Sequence, residues 1–434
     1  MFYFYVHSLD RYEKVISMKQ FYVMFFCLVK ICIFPLYCHA EITINDYLST
    51  SLKDDTFAFQ TEKVAFLKKS SANTPYINEV EFRMQIDQFE DSKQKYTVRF
   101  NMNGWGEHSQ GKKVYEASLK YNEIESAIIL NESLIERYMD VINYIFMETQ
   151  LVFLESLMRV HKDRVEVLKQ SVGTLQFDAV ELIETERQLL DLQLDMINIK
   201  NNKALIEEKI KLFFPSQSED LFVIKDMIDI YAIQKKVTRL KSSLSENNVH
   251  IQHCQYKYQM AEAKYILEQT ENKTYLSFFE AAYNMEDKKK FEKAFSIEFG
   301  VTIPIVNPNR LDLNRRKLNS LKAKSDWIKV IKDTQMTFYV YSNKIERLIS
   351  QYEVLSLQKK KSRTEETFDI FRKMDGANPL TLLKLKESML KNEITMHKIK
   401  HQVYETYIKL LDCSGELSSQ PLVNYLSPNL QPLK

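Results

Sequence analysis

The chain has 434 residues, of which 45% are hydrophobic, 12% aromatic and 27% charged. The 60 Lys and Arg residues nearly balance the 58 Asp and Glu residues, so the composition excludes a general polyanion-binding protein and a disordered chain. Only seven residues are glycine, too few for turn-rich Rossmann and β-propeller folds. Long stretches without glycine instead predict long helices joined by few turns.

The first 40 residues have the pattern of a secretory signal. Residues 21–38 are apolar except for Lys30, and the small residue Ala40 follows them. This pattern predicts a signal peptide over residues 1–40, cleaved after Ala40, with Met18 as an alternative start. A retained membrane anchor is the alternative interpretation, but Lys30 divides the apolar stretch and makes it a poor spanning helix.

A helical hairpin is predicted in the first half of the chain. From Glu107 to about Val172, apolar residues recur at spacings of three and four without proline, which predicts one helix roughly 95 Å long. A single globular domain does not bury a helix of that length, so it must pack against other long helices. Gly173 breaks the pattern, and a return helix is predicted from about Phe177 to Leu212.

The second half repeats this layout. A long helix is predicted from Leu311 to about Lys373, Gly376 ends it, and a return helix follows from Leu380 to Leu411. Aligning Gly376 with Gly173 superimposes similar residues of the two return helices: Phe177 with Leu380, Val180 with Leu383, Leu182 with Leu385, and Glu184 with Glu387. We therefore predict a structural duplication, with repeats over residues 41–240 and 241–415 and a C-terminal tail over 416–434.

Each long helix is preceded by a pair of strand-like segments, within residues 79–103 and 274–305. Apolar and polar residues alternate strictly there, which predicts strands with one apolar and one polar face. Strands of about ten residues have the length of tilted membrane-crossing strands. An ordinary hairpin with one face on a core is the alternative that periodicity leaves open. Two isolated hairpins are marginal alone, so their edges must pair with each other or with other subunits.

Cysteine and histidine form no recognisable reactive site. Outside the predicted signal the cysteines are Cys254 and Cys413; a disulfide between them is one prediction, and two partly buried free thiols are the favoured one. His250, His253 and Cys254 share one face of a predicted helix, but a zinc site needs a fourth ligand, and none is visible. No nucleotide-binding or hydrolase motif occurs, so we predict neither an enzyme, a cofactor, a metal site nor a nucleic-acid partner.

The order of these segments resembles the TolC-type outer-membrane efflux proteins. The most similar stretches are residues 295–323, with Pro304 at the strand-to-helix turn, and residues 371–415, which contain the second glycine tip. The resemblance covers about residues 41–415. It implies a mainly α-helical chain with a small β part: in a homotrimer, duplicated long helical hairpins would form an α-barrel, and four strands per chain would contribute to a 12-stranded transmembrane β-barrel.

The same resemblance implies a passive export conduit. The trimer would lie in the outer membrane, in contact with its lipid, and extend into the periplasm as part of a tripartite efflux or type I secretion system. A periplasmic adaptor would join its gated tip to an inner-membrane pump. A structural coiled-coil scaffold or adaptor of the cell envelope is the alternative function, because long amphipathic helices alone would serve it.

The candidate functional residues form two sets. The periplasmic tip and gate candidates are Gly173, Asp178, Glu181, Gly376, Leu382, Lys384 and Leu385; the lumen candidates are Glu81, Arg83, Asp87, Arg99 and Glu298. Some family members narrow the entrance with acidic residues at the positions of Leu382 and Leu385, so this chain departs from the family there. Two interpretations of the nearby charges are open: a Glu/Lys network that holds the entrance shut, or solvated coiled-coil charges.

Overall fold

The computed structural model describes residues 42–433 apart from 71–74, 87–93, 105, 175–176, 216–221, 223–226, 242–247, 272–275, 286–293, 302–309, 362–363 and 375–377. The predicted signal peptide, Asp87, Pro304 and Gly376 therefore lie outside the described residues. The chain divides into two units. One comprises residues 43–213 and 222–434 and contains every helix and strand given below; the other comprises residues 1–42 and 214–221, of which Ile42, Phe214 and Pro215 are described.

Long helices dominate the described chain. In order, the elements are α1 (Ile44–Ser49), a 3-10 turn (Thr50–Lys53), α2 (Asp55–Lys69), β1 (Ile77–Ile86), β2 (Gln94–Met102), α3 (Glu107–Gln170), α4 (Ala179–Phe213), α5 (Ile230–Lys241), α6 (Val249–Glu271), β3 (Leu276–Asn284), β4 (Phe295–Val301), α7 (Arg310–Lys361), α8 (Thr364–Lys373) and α9 (Pro379–Ser414). The first predicted long helix is one helix of 64 residues. The second is described as α7 and α8, on either side of residues 362–363.

Local sequence signals set the ends of the hairpin helices. Gly173 follows α3 with a φ of 89°, a left-handed conformation that glycine adopts without steric cost. Asp178 caps α4, because its Oδ1 accepts two backbone N–H groups of the first turn at 2.9 and 3.1 Å. Asn378 caps α9 in the same way, at 2.9 Å, and Pro379 occupies the first helical position, where no N–H donor is needed.

The helix α3 is the central element of the bundle. It packs against α2, α4, α6 and α9, and α7 packs against α6 and α9. The core lies where α3 meets α9 and consists of large apolar and aromatic side chains: Leu134, Tyr138, Val141, Ile142, Ile145, Val403, Tyr407, Ile408 and Leu411. Within the described residues, the helices lack an apolar stretch of the length that a membrane-spanning helix requires.

Both halves of the chain contribute to one antiparallel sheet in the order β1-β2-β3-β4. The β2–β3 pairing runs from Lys95 opposite Asn284 to Asn101 opposite Phe278, and it joins the two hairpins. Among the described strands, β1 and β4 lie at the two edges of the sheet, and each pairs with one neighbour. An unpaired edge presents free backbone donors and acceptors, so both edges are suited to pair with another strand.

The segment after α9 packs against the bundle. Leu422, Tyr425 and Leu426 are buried. The Tyr138 hydroxyl on α3 donates to the Val423 carbonyl at 3.1 Å and accepts from the Tyr425 N–H at 3.0 Å. The segment that the sequence predicts as a tail is therefore part of the fold.

Candidate functional site: a two-faced sheet and a hairpin seam

The sheet has one apolar and one polar face, because side chains alternate along each strand and the register is regular. The apolar face consists of Val80, Phe82, Met84, Ile86, Tyr96, Val98, Phe100, Phe279, Ala281, Tyr283, Phe295, Ile297 and Phe299. Much of it is exposed in the single chain; Phe82, for example, is 80% exposed. An exposed apolar surface of this kind marks contact with lipid or with another protein.

The polar face carries a row of charges across all four strands. Glu81 lies opposite Arg99, Arg99 opposite Glu280, and Glu280 opposite Glu298. The Arg99 Nε donates to the Glu280 Oε2 at 2.6 Å, and Arg83 pairs with Glu81 along β1. The structure therefore places the described lumen candidates on one face. Glu280, which is buried, also belongs to this row. Strand alternation did not identify it, because its contact with Arg99 depends on the pairing of β2 with β3.

An aromatic ring covers Gly300 on this polar face. A Cβ atom built on Gly300 would lie 2.1 Å from the ring of Phe278, the residue beside it on β3. The Arg99 guanidinium carbon lies 4.1 Å from the centroid of the same ring, a cation–π contact. The ring thus fills the space that glycine leaves and holds Arg99 near Glu280.

We expect Gly300→Ala to displace the Phe278 ring and to destabilise the sheet by roughly 1–3 kcal/mol, the usual cost of overpacking. The measurement is the thermal unfolding midpoint of the detergent-extracted protein. Ser296→Ala, on the same face of β4, is the matched control. If the clash with Phe278 is the cause, Gly300→Ala costs much less in a Phe278→Ala background; an equal cost in both backgrounds contradicts this explanation.

A charged cluster joins the two helical hairpins near their tips. The Arg164 Nη1 on α3 lies 2.6 Å from the Glu387 Oε2 on α9, and its Nη2 lies 2.8 Å from the Glu181 Oε1 on α4. The Lys384 Nζ on α9 lies 2.8 Å from the same Glu181 oxygen. We call these residues, Arg164, Glu181, Lys384 and Glu387, the hairpin seam, since each ion pair except Arg164–Glu181 crosses from one hairpin to the other.

The central residues of the seam are shielded from water. The side chains of Arg164 and Glu387 are 11% and 9% exposed. Burial acts to raise the pKa of the Glu387 carboxyl, but a hydrogen bond from Lys391 and the neighbouring positive charges outweigh it and hold that pKa below its usual range. A hydrogen bond from Lys384, with Arg164 adding to it, lowers the pKa of Glu181. Both carboxylates therefore stay ionised at neutral pH.

The other tip candidates have different positions. Gly173 forms the turn after α3, and Asp178 is exposed and caps α4. Leu382 and Leu385 are half-buried on α9, beside Lys384 in the seam. Arg164 carries no sequence signal of its own, and Glu387 stands out in the sequence only as the counterpart of Glu184, because no local pattern pairs residues 223 positions apart.

The two histidines of α6 have separate partners. The His250 Nε2 lies 3.1 Å from the Asp412 Oδ1, whereas the His253 ring packs on Tyr121 with centroids 4.8 Å apart. Cys254 and Cys413 are free thiols, which corrects the alternative of a disulfide. Within the described residues, no group of three or more His, Cys, Asp or Glu side chains is arranged to hold a metal ion.

Two helices present apolar side chains that the described part of the chain leaves largely exposed. On α4 the exposed large apolar residues are Val180, Ile183, Leu190, Leu194, Ile197, Leu205, Leu212 and Phe213. On α7 they are Leu311, Leu318, Leu321, Ile328, Met336, Tyr339, Val340, Val354 and Leu357. An amphipathic helix of this length needs a neighbour along such a stripe, so both surfaces are suited to pack against other helices.

Known structures share this architecture. The outer-membrane protein VceC of Vibrio cholerae superimposes with a TM-score of 0.62 at 12% identity, over 86% of this chain and 96% of that one. The open-state MtrE outer-membrane channel of Neisseria gonorrhoeae gives 0.60 at 10% identity over 89% and 90%. The Campylobacter jejuni CmeC outer-membrane channel gives 0.59 at 11% identity over 89% and 86%. No protein-family model and no curated protein sequence matches the chain. The chain therefore has the fold of the TolC-type outer-membrane channels, and the predicted mainly α-helical chain with duplicated long hairpins and four strands is confirmed, whereas the trimer and its two barrels stay predictions.

Proposed function

We propose that this chain forms a homotrimeric channel in the outer membrane that acts as a passive export conduit through the membrane and the periplasm. The observation that carries the proposal is the two-faced sheet. Its apolar face is exposed, its polar face is charged, and no described strand pairs with either of its edges. Three copies joined edge to edge would close a barrel with the apolar face toward lipid and the charged face toward a wet lumen.

The helices support the same assembly. The exposed apolar stripes of α4 and α7 would pack against those of neighbouring copies, which extends the barrel below the membrane as a tube of helices. In this assembly the hairpin tips lie at the periplasmic end. The hairpin seam joins both hairpins close to that end, so we propose that it holds the entrance closed.

The partners follow from the same proposal. A conduit that ends in the periplasm needs an energy source in the inner membrane, so the tips would meet a periplasmic adaptor protein and an inner-membrane pump of a tripartite efflux or type I secretion system. Contact with the adaptor would replace seam contacts and let the hairpins separate. The chain itself would provide a path and would catalyse no reaction.

Single-channel recording tests the proposal. Full-length protein is extracted in detergent, inserted into a planar bilayer and recorded at neutral pH. We expect discrete conductance steps from a protein that migrates as a trimer. A protein that is soluble without detergent, or that never conducts even when the seam is broken by Glu387→Gln, would contradict the channel and favour the envelope scaffold.

Adjacent residues on β4 provide a matched pair of variants. Ile297→Arg places a charge on the apolar face, where an arginine in mid-membrane costs about 2–4 kcal/mol, so we expect loss of outer-membrane assembly. Glu298→Arg changes the next residue, on the polar face; we expect normal assembly and a shift of ion selectivity toward anions. The measurements are the trimer yield in outer-membrane fractions and the reversal potential in a salt gradient. Equal loss of assembly in both variants would contradict the assignment of the faces.

A further inference from the structure

His161 lies buried beside the hairpin seam. Its side chain on α3 is 2% exposed, and its Nε2 lies 3.6 Å from the Glu387 Oε1 on α9. That distance is too long for a hydrogen bond. The Nδ1 atom is buried and has no hydrogen-bond partner within the described residues. A polar ring without hydrogen bonds is uncommon in a protein interior, so this histidine calls for an explanation.

Both oxygens of Glu387, the carboxylate nearest to His161, already form ion pairs with other residues. Arg164 lies 2.6 Å from one Glu387 oxygen, and the Lys391 Nζ lies 2.6 Å from the other. The charged groups that face the ring are thus Glu387 and Lys391 from α9 and Arg164 from its own helix. From α4, Glu181 reaches the cluster through Arg164. With Lys384 included, the ring has three cationic side chains and two carboxylates in its surroundings: Arg164, Lys384 and Lys391 against Glu181 and Glu387.

Protonation of His161 would therefore be costly in the closed seam. The neutral ring has one N–H donor, whereas the imidazolium has two. Both donors would be buried without an acceptor at hydrogen-bond distance, and a third cation would be added beside Arg164 and Lys391. Separation of the hairpins would expose the ring to water, which solvates the imidazolium.

The closed and separated forms of the seam bind a proton at His161 with different affinities, and this difference sets the direction of the pH dependence. Burial, with the charges of Arg164 and Lys391, lowers the pKa of His161 in the closed seam below the ordinary value of 6.5, and the Glu387 carboxylate opposes this only in part. The open form, with a solvated ring, binds the proton more readily. Since protons bind the open form better, the closed form is fully stable above pH 6.5 and loses stability as the pH falls below it.

We propose that His161 is an acid-sensitive release for the hairpin seam, so that protonation of this one ring favours separation of the two hairpins and opening of the periplasmic entrance. The proposal rests on the channel function proposed above. It adds a form of regulation that needs no partner protein: acidification would shift the tip toward the open form that adaptor contact otherwise produces.

Hydrogen–deuterium exchange of the full-length trimer tests the proposal without relying on conductance. Exchange is measured at about pH 7.5 and about pH 5.5, on either side of the ordinary histidine pKa, and corrected for intrinsic rates. In wild type we expect amides of α3 from residue 155 to 170 and of α9 from residue 380 to 395 to exchange roughly three- to tenfold faster at the lower pH. His161→Gln, which keeps a polar side chain that does not titrate, is expected to lose this response.

A second histidine supplies the control. Burial also lowers the pKa of His253, but this residue lies on α6 against Tyr121, away from the seam. His253→Gln is therefore expected to keep the wild-type response. A wild-type protein that exchanges equally at both pH values overturns the inference, as does a His161→Gln variant that responds like wild type. Absence of conductance from a protein with the expected exchange pattern would contradict the channel function and leave the acid-sensitive seam in place.

Discussion

Replacement of Glu387 by glutamine is expected to open the hairpin seam at neutral pH. The amide cannot form an ion pair with Arg164, whose buried guanidinium would keep only Glu181, the carboxylate of its own hairpin, as a counter-ion. Removing one partner of a buried ion pair costs about 3–5 kcal/mol. This cost falls on the contact between the hairpins rather than on either hairpin alone. We therefore expect a much higher open probability in planar bilayers, at an unchanged trimer yield.

Lys391→Gln is the control for this variant. Lys391 also contacts Glu387, but it lies on the same helix and its side chain is 56% exposed, so its loss should cost under about 1 kcal/mol and leave the channel closed. Replacing both Arg164 and Glu387 by apolar residues of similar size should restore part of the closed form, since no buried charge is then left unpaired. A Glu387→Gln channel that stays as closed as wild type would remove the seam from the gating mechanism.

Truncation of Leu426 is expected to be the most destabilising single change in the C-terminal segment. Its side chain is fully buried, and its carbonyl accepts the Ile228 N–H at 2.6 Å. Leu→Ala substitutions at such sites cost about 2–5 kcal/mol, because lost contacts add to the cavity left behind. We expect a clear drop in the thermal unfolding midpoint of the detergent-extracted trimer.

Leu430 offers a matched comparison in the same segment. It is 38% exposed, so Leu430→Ala should change stability by no more than about 0.5 kcal/mol. A Leu426→Ala protein as stable as Leu430→Ala would show that residues after α9 are a dispensable tail. The contrast between two leucines four positions apart depends on burial, which the sequence pattern of this segment does not reveal.

Much of the architecture could be predicted from the sequence. Unbroken apolar periodicity predicted α3 nearly to its ends, and period-two alternation predicted the strands and both faces of the sheet. The turn at Gly173 was predictable because glycine adopts a positive φ without steric cost. The backbone of Gly173 has a φ of 89°, which other residues rarely adopt. These are local properties, set by the spacing of side chains along a helix or strand.

The candidate site was predictable only in part. Glu181 and Lys384 were identified from their distance to the glycine tips, and a Glu/Lys network was one of two interpretations, but the sequence did not show which residues pair. Arg164 and His161 were missed, since each looks like one more polar residue on a long amphipathic helix. Their importance comes from the burial of both side chains against α9, which depends on how two distant helices cross.

The sequence by itself determined the elements of this protein: the lengths of the helices, the two-faced strands, the hairpin turns and the repeat of the whole layout. Only the tertiary structure decided which charges meet, which are buried and which residues of the last segment join the core. The physical reason is that periodicity is fixed by the geometry of one helix or strand. An ion pair such as Arg164–Glu387 depends instead on the packing of segments 223 residues apart, and its effect on the pKa of Glu387 depends on exclusion of water.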